Sequence, residues 1–230
     1  KKIELNERGA VNKLGRILNT NFENGFKFVT LKYGKERLPD DYEQLKKNAA
    51  AFCRKLRKWC RKHGVDFKYV MCNANWSPKR DAEARLHHHL ILPADISTDF
   101  LEELWPADEM HIKVVHNPGD LTSLASYLIA NVHGLEAGEK KWTTSRGMEK
   151  PIYTEPKPVD DIDSIQQLPN TSVIEAKQYT DEDGYVMSSY IRAICREKIK
   201  VRGGMVILPR RSKKDKMPLT LDMAVWQDDE

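Results

Sequence analysis

The stretch from Leu38 to Gly64 constrains this chain most, because its pattern suits one long amphipathic helix. Tyr42, Leu45, Ala49, Phe52, Cys53, Leu56, Trp59 and Cys60 recur at intervals of three and four, the period that lines one helical face. Pro39, Asp40 and Asp41 mark its first turn, and Gly64 stops it. Lys46, Lys47, Arg54, Lys55, Arg57, Lys58, Arg61 and Lys62 fall in the same stretch. One face therefore packs and the other presents a basic stripe.

Strand patterns flank this helix. Residues 26–32, Phe-Lys-Phe-Val-Thr-Leu-Lys, alternate as a strand does. Phe67 to Asn75 reads as a second strand and Leu86 to Leu92 as a third, ending at Pro93. The polar segment from Trp76 to Arg85 is expected to join them as a loop. Ser97 or Thr98 caps a short helix reaching Trp105, and Met110 to Val115 is a fourth strand. After Asn117-Pro118-Gly119, a helix runs from Asp120 to about Val132 and ends at Gly134. The order β-α-β-β-α-β plus a helix defines an α+β chain: the ferredoxin-like split βαβ unit with a central antiparallel sheet. That fold hosts many functions and names none. From Lys150 onward, Pro151, Pro156, Pro158 and Pro169 among clustered acids read as an irregular arm. Ser172 to Tyr179, the turn Asp181-Glu182-Asp183-Gly184, and Tyr185 to Ile194 then read as a β-hairpin. The expected division is residues 1–150 as one domain and 151–230 as a C-terminal extension of arm, hairpin and basic tail.

Composition narrows the class further. Hydrophobic residues make up 40% of the chain, enough for a core, yet no apolar run is long enough for a transmembrane helix. No apolar stretch follows the opening Lys-Lys-Ile-Glu-Leu, so a secretory signal is not expected. Cys53, Cys60, Cys72 and Cys195 lack C-x-x-C spacing and read as reduced thiols of a cytoplasmic protein with no membrane partner. A net charge of +4 says little by itself. The concentration of Lys and Arg in residues 46–62 and 196–216 points instead to a polyanionic partner.

Two segments carry candidate chemistry. In Arg85-Leu86-His87-His88-His89-Leu90-Ile91-Leu92, strand alternation puts His87 and His89 on one face and His88 with Leu90 and Leu92 on the other. Two imidazoles about 7 Å apart at the backbone can converge on one cation; the alternative is a pair of hydrogen-bonded core histidines. In the helix from Asp120, the residues Leu121, Leu124, Ala125, Leu128, Ile129 and Val132 form the packing face. Asp120, Ser123, Tyr127 and Asn131 run down the other. Tyr127 is either a boundary residue or a phenol aimed into a site.

The two segments together, in a split βαβ fold, resemble the HUH endonuclease superfamily, and within it the single-tyrosine rolling-circle replication initiators of plasmids, phages and integrative elements. The resemblance spans roughly residues 26–195. It rests on the basic helix followed by Phe67-Lys68-Tyr69-Val70, on Leu86 to Leu92, on Leu121-Thr122-Ser123-Leu124-Ala125-Ser126-Tyr127-Leu128, and on Lys141-Trp142-Thr143-Thr144-Ser145-Arg146 with Lys150-Pro151. It implies that His87 and His89 hold one Mn²⁺ or Mg²⁺, which draws charge from a scissile phosphate. It also implies that Tyr127 attacks phosphorus, leaving a 3′-OH and a 5′-phosphotyrosine that a later 3′-OH can reseal. The group commonly adds a Glu ligand on the second strand. Residues 67–76 contain no acid, so Asn73 or Asn75 is the candidate there, with Glu83 in the adjoining loop. A Lys one turn after the Tyr is also common; here Ala130 and Asn131 follow, leaving the cation or Lys113 to favour the phenolate.

The implied partner is single-stranded or hairpin origin DNA, with a helicase or polymerase of the host as a further candidate. Lys55, Lys58, Lys113, Asn131, Ser145 and Arg146 are the candidate DNA contacts. Three alternatives stay open: a relaxase or single-strand transposase with the same chemistry, a non-catalytic single-stranded-DNA-binding module of the same fold, and a structural zinc held by the His triplet.

Overall fold

Asp41 starts the long helix: its carboxylate accepts from the Gln44 amide at 2.7 Å. Gly64 ends it at φ 66°, a left-handed cap that only glycine adopts without strain. The expected first turn at Pro39 lies outside the helix, which spans Tyr42–His63. This is a computed structural model, and it describes residues 2–105, 110–116, 118–135, 139–152, 171–195, 200–202 and 205–207. The described residues divide into two compact units, one up to Ile152 and one from Thr171 to Ile207.

The first unit is built on strands β1 (Phe26–Leu31), β2 (Val70–Ser77), β3 (Ala82–Pro93), β4 (Met110–Val115) and β5 (Thr143–Thr144). They form a five-stranded sheet in the order β4-β1-β3-β2-β5, with every neighbouring pair antiparallel. Helices α2 (Tyr42–His63) and α3 (Thr98–Leu104) connect β1 to β2 and β3 to β4, which is the ferredoxin-like α+β arrangement. Ser97 caps α3 by accepting from the Phe100 amide at 3.3 Å.

Two features differ from the sequence expectation. The first is α1 (Lys2–Asn21), which precedes β1 and which the strand-and-helix order did not include. Its Leu14 and Leu18, followed by Phe22, are buried against Leu121, Leu124 and Leu128 of the helix after β4. That helix, α4, covers Thr122–Ala130, shorter than the expected span. Asp120 serves its first turn by accepting from the Thr122 amide at 3.1 Å and from Asn19 Nδ2 at 2.9 Å, which also ties α4 to α1. The second is the segment expected to be a loop, Trp76 to Arg85, most of which is strand. β2 and β3 run on as a ribbon closed by a turn at residues 78–81, where Asp81 has φ 49°. A ribbon extending past the covering helices has no face to bury, so its sequence carries no apolar alternation.

The helices cover both faces of the sheet. Phe26, Phe28, Val70, Cys72 and Ile91 pack under α1 and α4. Val29, Leu31, Met71, Leu90 and Leu92 pack under α2 and α3. β1, between β4 and β3, is buried along its whole length. Its one lysine, Lys27, reaches out of the layer to donate to the Ile96 carbonyl. Trp59 and Trp105 pack against the core on the α2 side, and Cys53, Cys60 and Cys72 are buried thiols.

In the second unit, β6 (Thr171–Thr180) and β7 (Val186–Cys195) form the expected antiparallel hairpin around a turn at Asp181–Gly184. β8 (Lys200–Arg202) and β9 (Met205–Ile207) form another pair. The proline-rich arm, Cys195's side chain and the basic run Arg210–Lys214 lie outside the described residues. Among the described residues, no helix is long and apolar enough to cross a membrane.

Candidate active site

The sheet register sets one row of side chains beneath α4: His111, Thr30, His89 and Cys72, on β4, β1, β3 and β2 in turn. His87 lies two residues along β3 from His89 and therefore on the same face. Its Nε2 is 3.0 Å from His89 Nε2. Tyr127, on α4, brings its hydroxyl to 3.4 Å from that same His89 nitrogen. Phe28 stacks on His89 at 5.4 Å and meets Tyr127 edge-on at 6.1 Å. The three residues singled out by spacing thus converge, with Phe28 as their shared apolar backing.

Hydrogen bonds define what each ring can do. His87 Nδ1 lies 2.7 Å from the Arg85 carbonyl, an acceptor only, so Nδ1 carries the proton and Nε2 presents a lone pair. His89 Nδ1 lies 3.2 Å from the Thr30 hydroxyl, which can donate or accept. When Thr30 accepts, both Nε2 atoms carry a lone pair, 3.0 Å apart. Two nitrogens each about 2.1 Å from a cation, at right angles, are about 3.0 Å apart. The pair therefore fits two adjacent positions around a divalent cation. Among the described residues, no cluster of three or more His, Cys, Asp or Glu forms such a site. Burial drives the His89 ring well below its usual pKa, helped by the charges of His87, His88 and Lys32 and opposed by a hydrogen bond to the Asn131 side chain. A ring kept neutral is the form that ligates a metal.

His88 plays a different part. It points to the α2 side, where Tyr33 Oη sits 2.5 Å from Nε2 and Asn73 Oδ1 2.8 Å from Nδ1. Burial pushes its pKa down to about 3, with the His87 charge adding to the effect. Both nitrogens are occupied within the core.

Neither candidate asparagine on β2 faces the pair. Asn73 is committed to His88 on the opposite face of the sheet. Asn75, at an irregularity in the β2–β3 ladder, clamps the backbone of His133: its Nδ2 donates to the carbonyl at 2.9 Å and its Oδ1 accepts from the amide at 3.0 Å. The β2 positions on the His87–His89 face are Cys72 and Ala74. Asn131 is 4% exposed and holds α4 in place: its carbonyl accepts from the amides of Asn75 and Trp76, and its Nδ2 donates to the Tyr127 carbonyl at 2.8 Å.

The remaining candidates scatter. Ser145 is buried and pairs with the Tyr69 backbone, its Oγ accepting at 3.2 Å. Arg146 and Lys58 are exposed. Lys113 is exposed on β4, beside Phe28 on the α4 side of the sheet. Lys55 lies on the α2 side, in a separate pocket.

His87 and Tyr127 open onto a cleft of about 560 Å³ whose wall includes Trp76, Lys79, Arg80 and Arg85 of the β2–β3 ribbon, and Lys32. Lys32 was not among the sequence candidates. The signal for it was the alternation of β1, since Phe28, Thr30 and Lys32 share parity and hence a face. The ribbon cations escaped notice because a charged segment reads as a solvated loop.

This is an α+β, ferredoxin-like domain in which a tyrosine on the helix after the fourth strand faces a histidine pair at the edge of a basic cleft. Residues 26–133 match the model of a family of replication-associated proteins, the one that takes in the ORF2 proteins. The matched range begins at the first residue of β1 and ends just beyond α4, so it holds both histidines and Tyr127. No curated protein and no solved structure matches the chain.

Proposed function

We propose that this chain is a metal-dependent single-strand DNA endonuclease and ligase that nicks an origin to start rolling-circle replication. The observation that carries the reading is the convergence of His87 Nε2, His89 Nε2 and the Tyr127 hydroxyl at one end of a cation-lined cleft. The match to a replication-associated family supports the biological setting. Mn²⁺ or Mg²⁺ held by His87 and His89 would supply charge withdrawal from a non-bridging phosphate oxygen.

The chain's own residues do the rest. Lys32, Arg80 and Arg85 hold the sugar–phosphate backbone along the cleft, and Trp76 offers a face for a base. Phe28 and Asn131 fix Tyr127 and His89 relative to each other. Tyr127 Oη forms the bond to phosphorus as the P–O3′ bond breaks, and the departing 3′ oxygen takes up a proton. Tyr127 gives up its hydroxyl proton as it attacks and the departing 3′ oxygen gains one, so the step is neutral in protons overall. The reverse attack by a 3′-OH reseals the strand without an external energy source.

The test uses end-labelled single-stranded oligonucleotides tiled across both strands of the DNA around the gene, incubated with Mn²⁺ and run on a denaturing gel. A covalent protein–DNA band, lost with EDTA and in Tyr127→Phe, is the expected result. A band that persists in Tyr127→Phe moves the nucleophile elsewhere. Binding without any band favours the non-catalytic module, which the missing acidic ligand on β2 also favours.

A further inference from the structure

We infer that a second pocket, on the opposite side of the sheet from Tyr127, seats a nucleotide of the single strand flanking the nick. The pocket has a volume of about 310 Å³ and lies between the middle of α2, the 3₁₀ turn Lys35–Arg37 and the end of α3. Its inner wall is aromatic. Tyr33 and Trp105 meet edge-on at 4.9 Å, and Phe52 lies 5.9 Å from Trp105. Its outer wall is cationic, with Lys32, Arg37 and Lys55, and none of its lining residues is acidic. Asn48 adds an amide that hydrogen-bonds Tyr33. Tyr33 and Phe52 are 6% and 3% exposed, so half-buried Trp105 is the ring left to meet a base, beneath positive charge that suits its phosphate.

Two observations tie this pocket to the candidate active site. Lys32 lines both cavities, and its carbonyl accepts from Trp105 Nε1 at 2.9 Å in the second, so the two lie next to each other at the end of β1. The pocket wall is also bonded to the catalytic strand: Tyr33 Oη sits 2.5 Å from His88 Nε2, and Arg85 donates to the Tyr33 carbonyl. A nucleotide seated on Trp105, which packs on Tyr33, is thereby held in register with His87 and His89 on either side of His88. The inference rests on the single-strand DNA reading of the neighbouring cleft, and it gives Lys55 a specific task where a basic helix face would give it a diffuse one.

The test is equilibrium binding of the full chain to fluorescein-labelled single-stranded DNA of about 16 nucleotides, in EDTA so that no cleavage intervenes. Arg37→Ala and Lys55→Ala are compared with Lys62→Ala, which removes a charge about two turns further along α2. Arg37, Lys55 and Lys62 are exposed, and urea unfolding checks that the fold persists. Each pocket substitution is expected to reduce the slope of log affinity against log salt by about 0.7, which is about fivefold in affinity near 0.1 M salt, with Lys62→Ala unchanged. Oligonucleotides carrying 5-iodouracil are expected to photocrosslink to Trp105. Equal losses in all three variants, or crosslinks confined to Trp76, overturn the pocket. Unmoved slopes alongside a covalent adduct refute the pocket alone; reduced slopes without an adduct refute the nickase and leave the pocket standing.

Discussion

Replacing Thr30 by Val tests whether the histidine pair is held for a cation. Thr30 is 1% exposed, and its hydroxyl lies 3.2 Å from His89 Nδ1. Valine keeps the shape and removes the hydroxyl, so no cavity forms and β1 keeps its packing. The lost bond leaves a buried ring nitrogen without that partner, which costs about 1–3 kcal/mol of stability. The larger consequence falls on the metal. Without Thr30 to accept from Nδ1, nothing in the register row holds the tautomer that turns the His89 Nε2 lone pair toward His87. Loss of such an outer partner typically weakens metal affinity about 10–100-fold, or roughly 1.4–2.8 kcal/mol at about 1.4 kcal/mol per decade. Calorimetric titration with Mn²⁺ measures the affinity, and urea unfolding without metal measures the stability. Thr30→Ser restores the hydroxyl while deleting a methyl, so it should recover the Mn²⁺ affinity even though it gives up packing. Wild-type Mn²⁺ binding in Thr30→Val would refute the assignment of Thr30 as the group that orients His89.

Other expected outcomes follow from neighbouring contacts. Asn73→Ala should keep Mn²⁺ binding by calorimetry while lowering stability by about 1–3 kcal/mol, because it strips a partner from buried His88; a selective loss of metal affinity would return Asn73 to the ligand set. Asn75→Ala removes both bonds to the His133 backbone and should speed hydrogen exchange at the end of α4, an effect absent if the clamp does not form in solution. Leu18→Ala, fully buried between α1 and α4, should cost about 2–5 kcal/mol in urea unfolding. A change below about 1 kcal/mol would mean that α1 is not docked over Tyr127's helix.

Local periodicity already determined a good deal. The three-and-four spacing from Tyr42 to Cys60 and the stop at Gly64 specify α2 through nearest-neighbour backbone energetics, while the start expected at Pro39 moved to the Asp41 cap. The alternation of residues 26–32 and 110–115 specifies strands in the same way, and the order of elements was enough for the ferredoxin-like class. Alternation also assigned His87 and His89 to one face and His88 to the other, since the strand period of two is a property of the backbone itself.

Which partners those side chains meet was decided only by the assembled sheet. The register that sets Thr30 beside His89, and Asn73 beside His88, depends on hydrogen bonds between segments about 15 and 59 residues apart. Asn73 and Asn75 looked alike in the sequence as oxygen donors. The ladder sends one to the far face, and a local irregularity turns the other onto the His133 backbone. Lys32 lines both cavities because it stands just past the end of β1, and the ribbon of Lys79, Arg80 and Arg85 gained a place in the cleft because β2 and β3 run on as a hairpin past His87. A functional site is a set of long-range neighbours. The sequence supplies their chemistry, and tertiary pairing supplies the distances at which that chemistry can act.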